Sequence, residues 1–452
     1  MIRDILGLVL LIVFLFACGS DGNQLGKTTI TKWQHGKDGA VSITYDDGTI
    51  NQFRIARPLM NERDLPGTFY IPTGALPSSE HKGKFVGRPV EDIIKETANV
   101  PTNEDNFFER ASAVRYLGYK GTHTYYREAG SLYEQGKVEK AYDIIDKTYR
   151  KVRNGEFAKK DGSWSYPLSR YVYSVIVVEP GGELLTWEDL ESYNGDFHEF
   201  GIHTVTHPYL AVLDEANMKY ELQKSKAAIR KHLGKEHTFS AELPFGTKDE
   251  RVMKYGHGVY PALRNRMPEP FLTEIPRRSD VKPDTTSTEY TLWQRGPLSD
   301  TPMKEMKSWV DTTQSTQNIW LVLVFHGIEG IGWEPLSKEE ITEYFDYIDE
   351  GTDDLWVATF ADATKYMRER MDAKVSSETS GDEKITVRLT HSLGARYDLP
   401  LTLKTRVPSS WSKARVQQGK DTQEVQLRKD GGETYVMYQA RPNAQPIEVT
   451  AQ

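Results

Sequence analysis

Cysteine is almost absent from this chain: 452 residues carry one, Cys18. That excludes a disulfide framework and a cysteine-based metal cluster within a single chain, so any metal must be held by His, Asp or Glu. An excess of positive charge is also missing. The formal net charge is −8, which leaves no basic footprint for nucleic acid. Internal repetition is missing as well. Residues 129–137 look like one unit of a helical repeat, but no second copy follows, which excludes a repeat array. A membrane-spanning run is lacking too: the apolar stretch 5–17 falls short of the ~20 residues a spanning helix needs. Core-forming residues are not scarce. Hydrophobic content is 38% and aromatic content 11%, enough to bury real cores, and the length exceeds one ordinary domain.

The apolar stretch 5–17 has the length of a signal-peptide core and stops at Cys18. Leu15-Phe16-Ala17-Cys18 resembles a bacterial lipoprotein processing box, although Phe16 is bulky for that place and the positive flank is weak. On this reading residues 1–17 are removed, and Cys18 is lipidated and begins the mature chain. The lipid then tethers an exported protein to the cell envelope, at the outer membrane or periplasmic face. The other reading is an uncleaved membrane anchor. Residues 18–37 form a tether and a leading strand at 28–30.

Chemistry-bearing residues gather at the ends of strand-like runs. Val41-Ser42-Ile43-Thr44-Tyr45 ends in Asp46-Asp47-Gly48. Side chains alternate along a strand, so both carboxylates share a face only if the strand ends there, and Gly48 allows that ending. Alone, the triplet also suits an ordinary acidic hairpin turn. Further on, His203-Thr204-Val205-Thr206-His207-Pro208 carries two histidines four apart. They can share a metal, or each can bond nearby backbone. Pro208 keeps His207 out of a helix interior. Trp320-Leu321-Val322-Leu323-Val324-Phe325 reads as a fully buried strand and ends in His326-Gly327. His326 can equally cap that strand.

Between these points the chain alternates strands and helices. Strands are predicted at 41–45, 67–72, 171–178, 238–242, 320–325 and 355–360, with helices at 50–61, 187–193, 214–233 and 361–371. Residues 80–182 break the rhythm. Helical periodicity over 104–117 and 125–153 marks an insertion beside the main sheet, and a candidate wall of a substrate cleft. Polar residues 372–384 read as a linker. Residues 385–452 hold short alternating segments with turns between them, the pattern of a small all-β sandwich.

Thr44-Tyr45-Asp46-Asp47-Gly48, His203-Thr204-Val205-Thr206-His207-Pro208 and Leu323-Val324-Phe325-His326 match, in order, three motifs of the polysaccharide deacetylases. The chain over 38–371 therefore resembles carbohydrate esterase family 4, the NodB-like domain. That resemblance implies an α/β fold, a distorted (β/α) barrel with fewer than eight units, here with the helical insertion and the extra β-sandwich. It also implies a divalent metal, commonly zinc, on Asp47, His203 and His207, with Asp46 as general base. A backbone N–H near Phe245 would hold the oxyanion and His326 would protonate the leaving group. The implied partner is an acetylated glycan; no protein partner is evident.

One departure stands out. The family often carries an arginine two places before the Pro-Tyr of its third motif, where it orients the base. Here Glu242 occupies that place in Glu242-Leu243-Pro244-Phe245-Gly246. A carboxylate would raise the pKa of Asp46 where an arginine would lower it. Arg264, Arg266, Arg277, Arg278 and Arg295 are candidate substitutes. A tryptophan for the acetyl pocket is not evident either; Trp293 is a possible counterpart, though it also suits a core, and His257 reads as structural. The rival to a deacetylase is a non-catalytic glycan-binding lipoprotein on the same scaffold. A glycosidase with paired carboxylates would leave the histidine pair unused.

Overall fold

The computed structural model describes residues 25–119, 121–157, 184–267, 272–284, 288–297 and 299–452. The signal segment, Cys18 and the strand expected at 171–178 lie outside them. Among the described residues no helix is long and apolar enough to cross a membrane. The described residues form two compact units, one within 31–372 and 392–401 and one of residues 25–30, 373–391 and 402–452.

The larger unit is built on one parallel sheet. Its centre is β2 (Gly39–Tyr45) beside β9 (Ile319–Phe325), and every residue of both strands is buried. Such uninterrupted apolar strands belong in a sheet covered on both faces. Strands β3 (Gly67–Ile71), β4 (Glu199–Ile202), β5 (Ser240–Ala241) and β6 (Ala262–Leu263) follow from β2 on one side. From β9 the order continues through β8 (Tyr290–Arg295) to β7 (Leu272–Ile275). The sheet path thus runs β6-β5-β4-β3-β2-β9-β8-β7, and β10 (Leu355–Val357) also pairs with the start of β2. This is the chain order of a (β/α) barrel left open between β6 and β7. No helix lies among the described residues between β6 and β7 or between β7 and β8, so the strand–helix units number fewer than eight.

The insertion after β3 contributes helices Val90–Glu96, Phe107–Tyr116, Thr122–Glu134 and Val138–Arg153. The single periodicity read over 125–153 is two helices. Gly136 takes φ +74°, a conformation that costs glycine little. Its N–H bonds the Tyr133 carbonyl and the Lys137 N–H bonds that of Leu132, which closes the first helix.

The smaller unit holds two antiparallel sheets, one of four strands and one of five. Strand β14 (Lys413–Gln418) buries alternate residues, as does β17 (Glu433–Ala440), the signature of sheets with one covered face. Two expectations are corrected here. The leading strand β1 (Thr28–Ile30) pairs with β13 (Leu401–Arg406) and belongs to this unit. The expected linker 372–384 contains strand β11 (Lys374–Ser380), paired along its whole length with β12 (Lys384–Thr390). Polar composition signalled a linker, but an edge strand with an exposed face is polar as well.

Two buried histidines brace β4 in the same way. His198 Nδ1 accepts from the Gly67 N–H at 3.0 Å while Nε2 meets Asn61 Oδ1 at 2.7 Å. His237 Nδ1 accepts from the Phe200 N–H at 3.1 Å while Nε2 meets Asn194 Oδ1 at 2.7 Å. Each pair of partners fixes the neutral Nε2–H tautomer. Burial pushes His198 down to about 4 and also lowers His237. The folded pKa lies below the unfolded value, so stability is full above about pH 6.5 and falls as pH drops toward about 4. For His198 the loss is on the order of 3 kcal/mol. Thermal unfolding followed across that window should show a shallower pH slope in His198→Gln; equal slopes would contradict the assignment.

Candidate metal and active site

Alternation along β2 puts Thr44 and Asp46 on one face and Tyr45 on the other. Tyr45 stacks between Phe69 and Phe325 of the flanking strands, at 5.0 and 5.1 Å. Asp47 should then point away from Asp46. It does not, because the strand ends in left-handed backbone, with φ +73° at Asp47 and +61° at Gly48. That turn is unfavourable for a side chain bearing a Cβ and brings both carboxylates to one site.

The second motif is a loop between β4 and helix Glu215–His232. Thr204 (φ +65°) and His207 (φ +53°) both sit in the left-handed region, which is costly for a β-branched threonine. The loop is held by the buried carboxylate of Glu221. It accepts from the Val205 and Thr206 N–H groups at 2.9 and 2.8 Å, from Thr206 Oγ1 at 2.6 Å and from Tyr116 Oη at 2.8 Å. Arg115 caps the Thr206 carbonyl at 2.7 Å. Nothing in the local sequence marked Glu221; it lies nearly two turns into an otherwise ordinary amphipathic helix.

These two turns bring Asp47, His203 and His207 together. Nε2 of His203 lies 3.6 Å and Nε2 of His207 3.3 Å from Asp47 Oδ1, and all three residues are buried. One ligand atom from each lies within 4.8 Å of the others. Donors about 2.0–2.1 Å from a tetrahedral ion stand roughly 3.3 Å apart, so the cluster fits a divalent cation. Two nitrogens and one oxygen leave a fourth position open, the pattern of a catalytic site. His203 is oriented from behind by a 2.8 Å bond between Nδ1 and the Glu242 carbonyl, as metal-binding histidines commonly are. Burial alone would raise Asp47, but hydrogen bonds from His203 and His207 hold its carboxyl far below the usual range.

Asp46 answers the question posed by Glu242. Arg264, just after β6, donates from Nη2 to Asp46 Oδ2 at 2.6 Å and from Nη1 to Thr44 Oγ1 at 2.6 Å. Its Nε meets Glu242 Oε2 at 3.1 Å. The expected arginine has changed strands, and Glu242 grips it from the far side. Asn265 locks the group by donating to Glu242 Oε1 at 3.3 Å and pairing with the Leu243 backbone at 2.7 Å. Burial pushes Asp46 up, but the Arg264 charge, with His326 and His203, brings it below the ordinary value. Glu242 goes the other way, raised by its burial. Asp46 Oδ1 is buried and has no protein hydrogen-bond partner.

His326, at the tip of β9, places Nε2 3.3 Å from Asp46 Oδ2. Burial lowers it to about 4, against the pull of Asp46 and Asp47. Gln52 ties the two strand tips together by donating to the carbonyls of Asp46 and His326. Asp46, Asp47, His203, His326 and Phe245 all line one cavity of about 910 Å³. Phe245 takes φ +64°, stacks on Tyr209 at 3.7 Å and meets the His207 ring edge-on at 4.8 Å. Helix Thr122–Glu134 of the insertion lends Arg127, Ser131 and Glu134 to the wall.

Trp293 is not at this site; it is buried in the main core. The tryptophan that lines the cavity is Trp333, edge-on to His326 at 4.7 Å. Its sequence signal was its place in the loop after a barrel strand, where such folds put their chemistry. His257 sits on helix Glu250–Val259, outside the cavity wall.

Residues 162–258 match the family model described as polysaccharide deacetylase. That span carries His203, His207 and Phe245 but neither Asp46-Asp47 nor His326. A curated relative, a gellan lyase from a Bacillus species, is 24% identical over 344 residues. The match covers 70% of this chain but only 13% of that much longer protein. Among solved structures, a peptidoglycan N-acetylglucosamine deacetylase aligns with 71% of this chain and 86% of its own, at 10% identity and a TM-score of 0.30. The Xyl-CE4 domain of a xylanase from the hindgut metagenome of Trinervitermes trinervoides aligns with 72% and 88%, at 10% identity and a TM-score of 0.30.

Proposed function

We propose that this chain, which carries a polysaccharide deacetylase domain, hydrolyses N- or O-acetyl groups from a glycan with the help of a divalent metal such as zinc. The observation that carries this reading is the buried Asp47, His203 and His207 cluster, which meets through Asp47 and His203 a cavity that Asp46 and His326 also line. A cation held by those three side chains would acidify a water and polarise the acetyl carbonyl.

The chain's own residues supply the proton transfers. Asp46 is kept ionised by Arg264, and its unpartnered Oδ1 accepts the proton of the attacking water. The water oxygen bonds the acetyl carbon. A backbone N–H of the turn around Phe245 steadies the charge that develops on the carbonyl oxygen. The bond from that carbon to the sugar nitrogen or oxygen then breaks, and the leaving atom needs a proton. His326 is neutral at rest, because burial depresses it. The proton for the leaving atom is therefore supplied by the Asp46–His326 pair, 3.3 Å apart, which holds the one drawn from the attacking water. Acetate and the deacetylated sugar leave, and both residues return to their starting states.

Acetate release from a panel of acetylated polymers tests the reading. Activity should vanish on dialysis against a chelator and return with zinc. Undiminished release from protein shown to be metal-free would overturn the metal's part in it. The N-terminal reading belongs to the same proposal: residues 1–17 direct export, and lipid on Cys18 anchors the enzyme to the envelope. Cys18→Ser should then appear in the soluble fraction.

A further inference from the structure

Two arginines on the cavity wall are not used by this chemistry. Arg277 and Arg278 follow the C-terminal end of β7 and line the same cavity as Asp46 and His326. Arg264 is fully engaged by Asp46 and Glu242, but neither Arg277 nor Arg278 lies within ion-pair distance of a carboxylate among the described residues. The nearest acidic influences on Arg277 are Asp46 and Glu334, acting at longer range. In a chain of net charge −8, two adjacent unpaired cations facing a cavity are not a default surface.

The pair is also built. A Cβ at Gly296 would meet Arg277 Cδ at 2.5 Å, so only glycine lets the arginine stem lie there. The Arg277 carbonyl is held by Arg295 Nη1 at 3.1 Å. Trp333 joins the arginines to the catalytic centre, with the Arg277 guanidinium 5.0 Å and that of Arg278 6.0 Å from its ring and His326 edge-on to it at 4.7 Å. Trp333 is 38% exposed and lines the cavity. A flat ring beside two planar forks suits a sugar that also carries a carboxylate, since guanidinium matches carboxylate in a bidentate pair.

Resting on the deacetylase reading, we propose that Arg277 and Arg278 form a subsite for the carboxylate of a uronic acid residue next to the acetylated sugar, with Trp333 beside it. The substrate class is then an acidic acetylated glycan.

The test uses a matched pair: an acetylated oligosaccharide containing glucuronate, and the same compound with that carboxylate reduced to the alcohol. kcat/KM should favour the acidic compound by roughly tenfold to a hundredfold, the worth of one hydrogen-bonded charge pair, and the preference should shrink with added salt. Arg277→Gln and Arg278→Gln should each narrow the ratio. Calorimetry with an Asp46→Asn protein gives a reading independent of turnover, with the acidic compound binding more tightly. Equal kcat/KM and equal affinity for the two compounds would overturn the subsite. So would a preference that survives in the folded double variant. If neither compound loses acetate, the deacetylase reading fails, and the binding comparison still decides the subsite.

Discussion

Asp46→Asn should cost turnover by about three orders of magnitude while leaving metal content at one equivalent. The separation of these two readouts follows from how β2 ends. The left-handed turn at Asp47 points that carboxylate at His203 and His207, and Asp46 takes no part in that cluster. An asparagine at position 46 can still accept from Arg264 through its amide oxygen, so the surroundings need not collapse. What it cannot do is take a proton from water at neutral pH. His203→Gln should behave differently, losing metal and turnover together, because Nε2 of His203 is one of three donors and its Nδ1 is tied to the Glu242 carbonyl. Elemental analysis of the purified proteins, run beside an acetate assay, separates the cases. Full activity in Asp46→Asn would sink the base assignment. Metal loss in that protein would mean that Asp46 is a ligand.

The contrast between these neighbours shows what was readable before the fold was known. Strand alternation and Gly48 placed Asp46 and Asp47 at a strand tip, and the apolar run 320–325 carried His326 to the tip of the adjacent strand. The helix expected at 214–233 was legible from its apolar spacing and forms as Glu215–His232, capped by Asp214, whose side chain accepts from the Asn217 N–H. Those features are local, and their periodicity is imposed by the backbone. The identity of the cation beside Asp46 is not local. Five arginines were candidates, and only the parallel run of β4, β5 and β6 brings Arg264 across to β2. The one available signal was indirect: a glutamate in place of an arginine, once buried, demands a positive partner. Trp333 was missed for a related reason. Trp293 lies within strand β8 and packs into the core, while the loop beyond the next strand's tip carries Trp333 to the cavity. The strand expected at 28–30 forms as β1, but its place in the fold was not legible, because its partner β13 is some hundreds of residues away in sequence and no local pattern encodes that pairing.

Removing Arg264 should be the most damaging single change at the site. In Arg264→Met, Asp46 and Glu242 are left as two buried carboxylates without the cation between them. Breaking a buried ionic group by deleting one partner typically destabilises by about 3–5 kcal/mol, far more than the net worth of the intact group. The chemical effect has a definite sign. Arg264 is the strongest influence opposing the effect of burial on Asp46, so its loss raises the Asp46 pKa. A base works only when deprotonated, and the acidic limb of the pH–rate profile should therefore move to higher pH. Glu242→Gln should be mild in comparison, since Arg264 keeps its bond to Asp46 and Asn265 still joins position 242 to the Leu243 backbone. The exchange Glu242→Arg with Arg264→Glu then distinguishes a charge requirement from a packing one. It returns a cation to the place where the resembling family carries it and a carboxylate to the far side. If the arginine acts by holding Asp46 ionised, the double variant should recover activity and an acidic limb near that of the unaltered protein, while Glu242→Arg alone and Arg264→Glu alone both fall below it. A double variant no better than the worse single one would show that Arg264 matters for its fit against Thr44 and Tyr70 rather than for its charge.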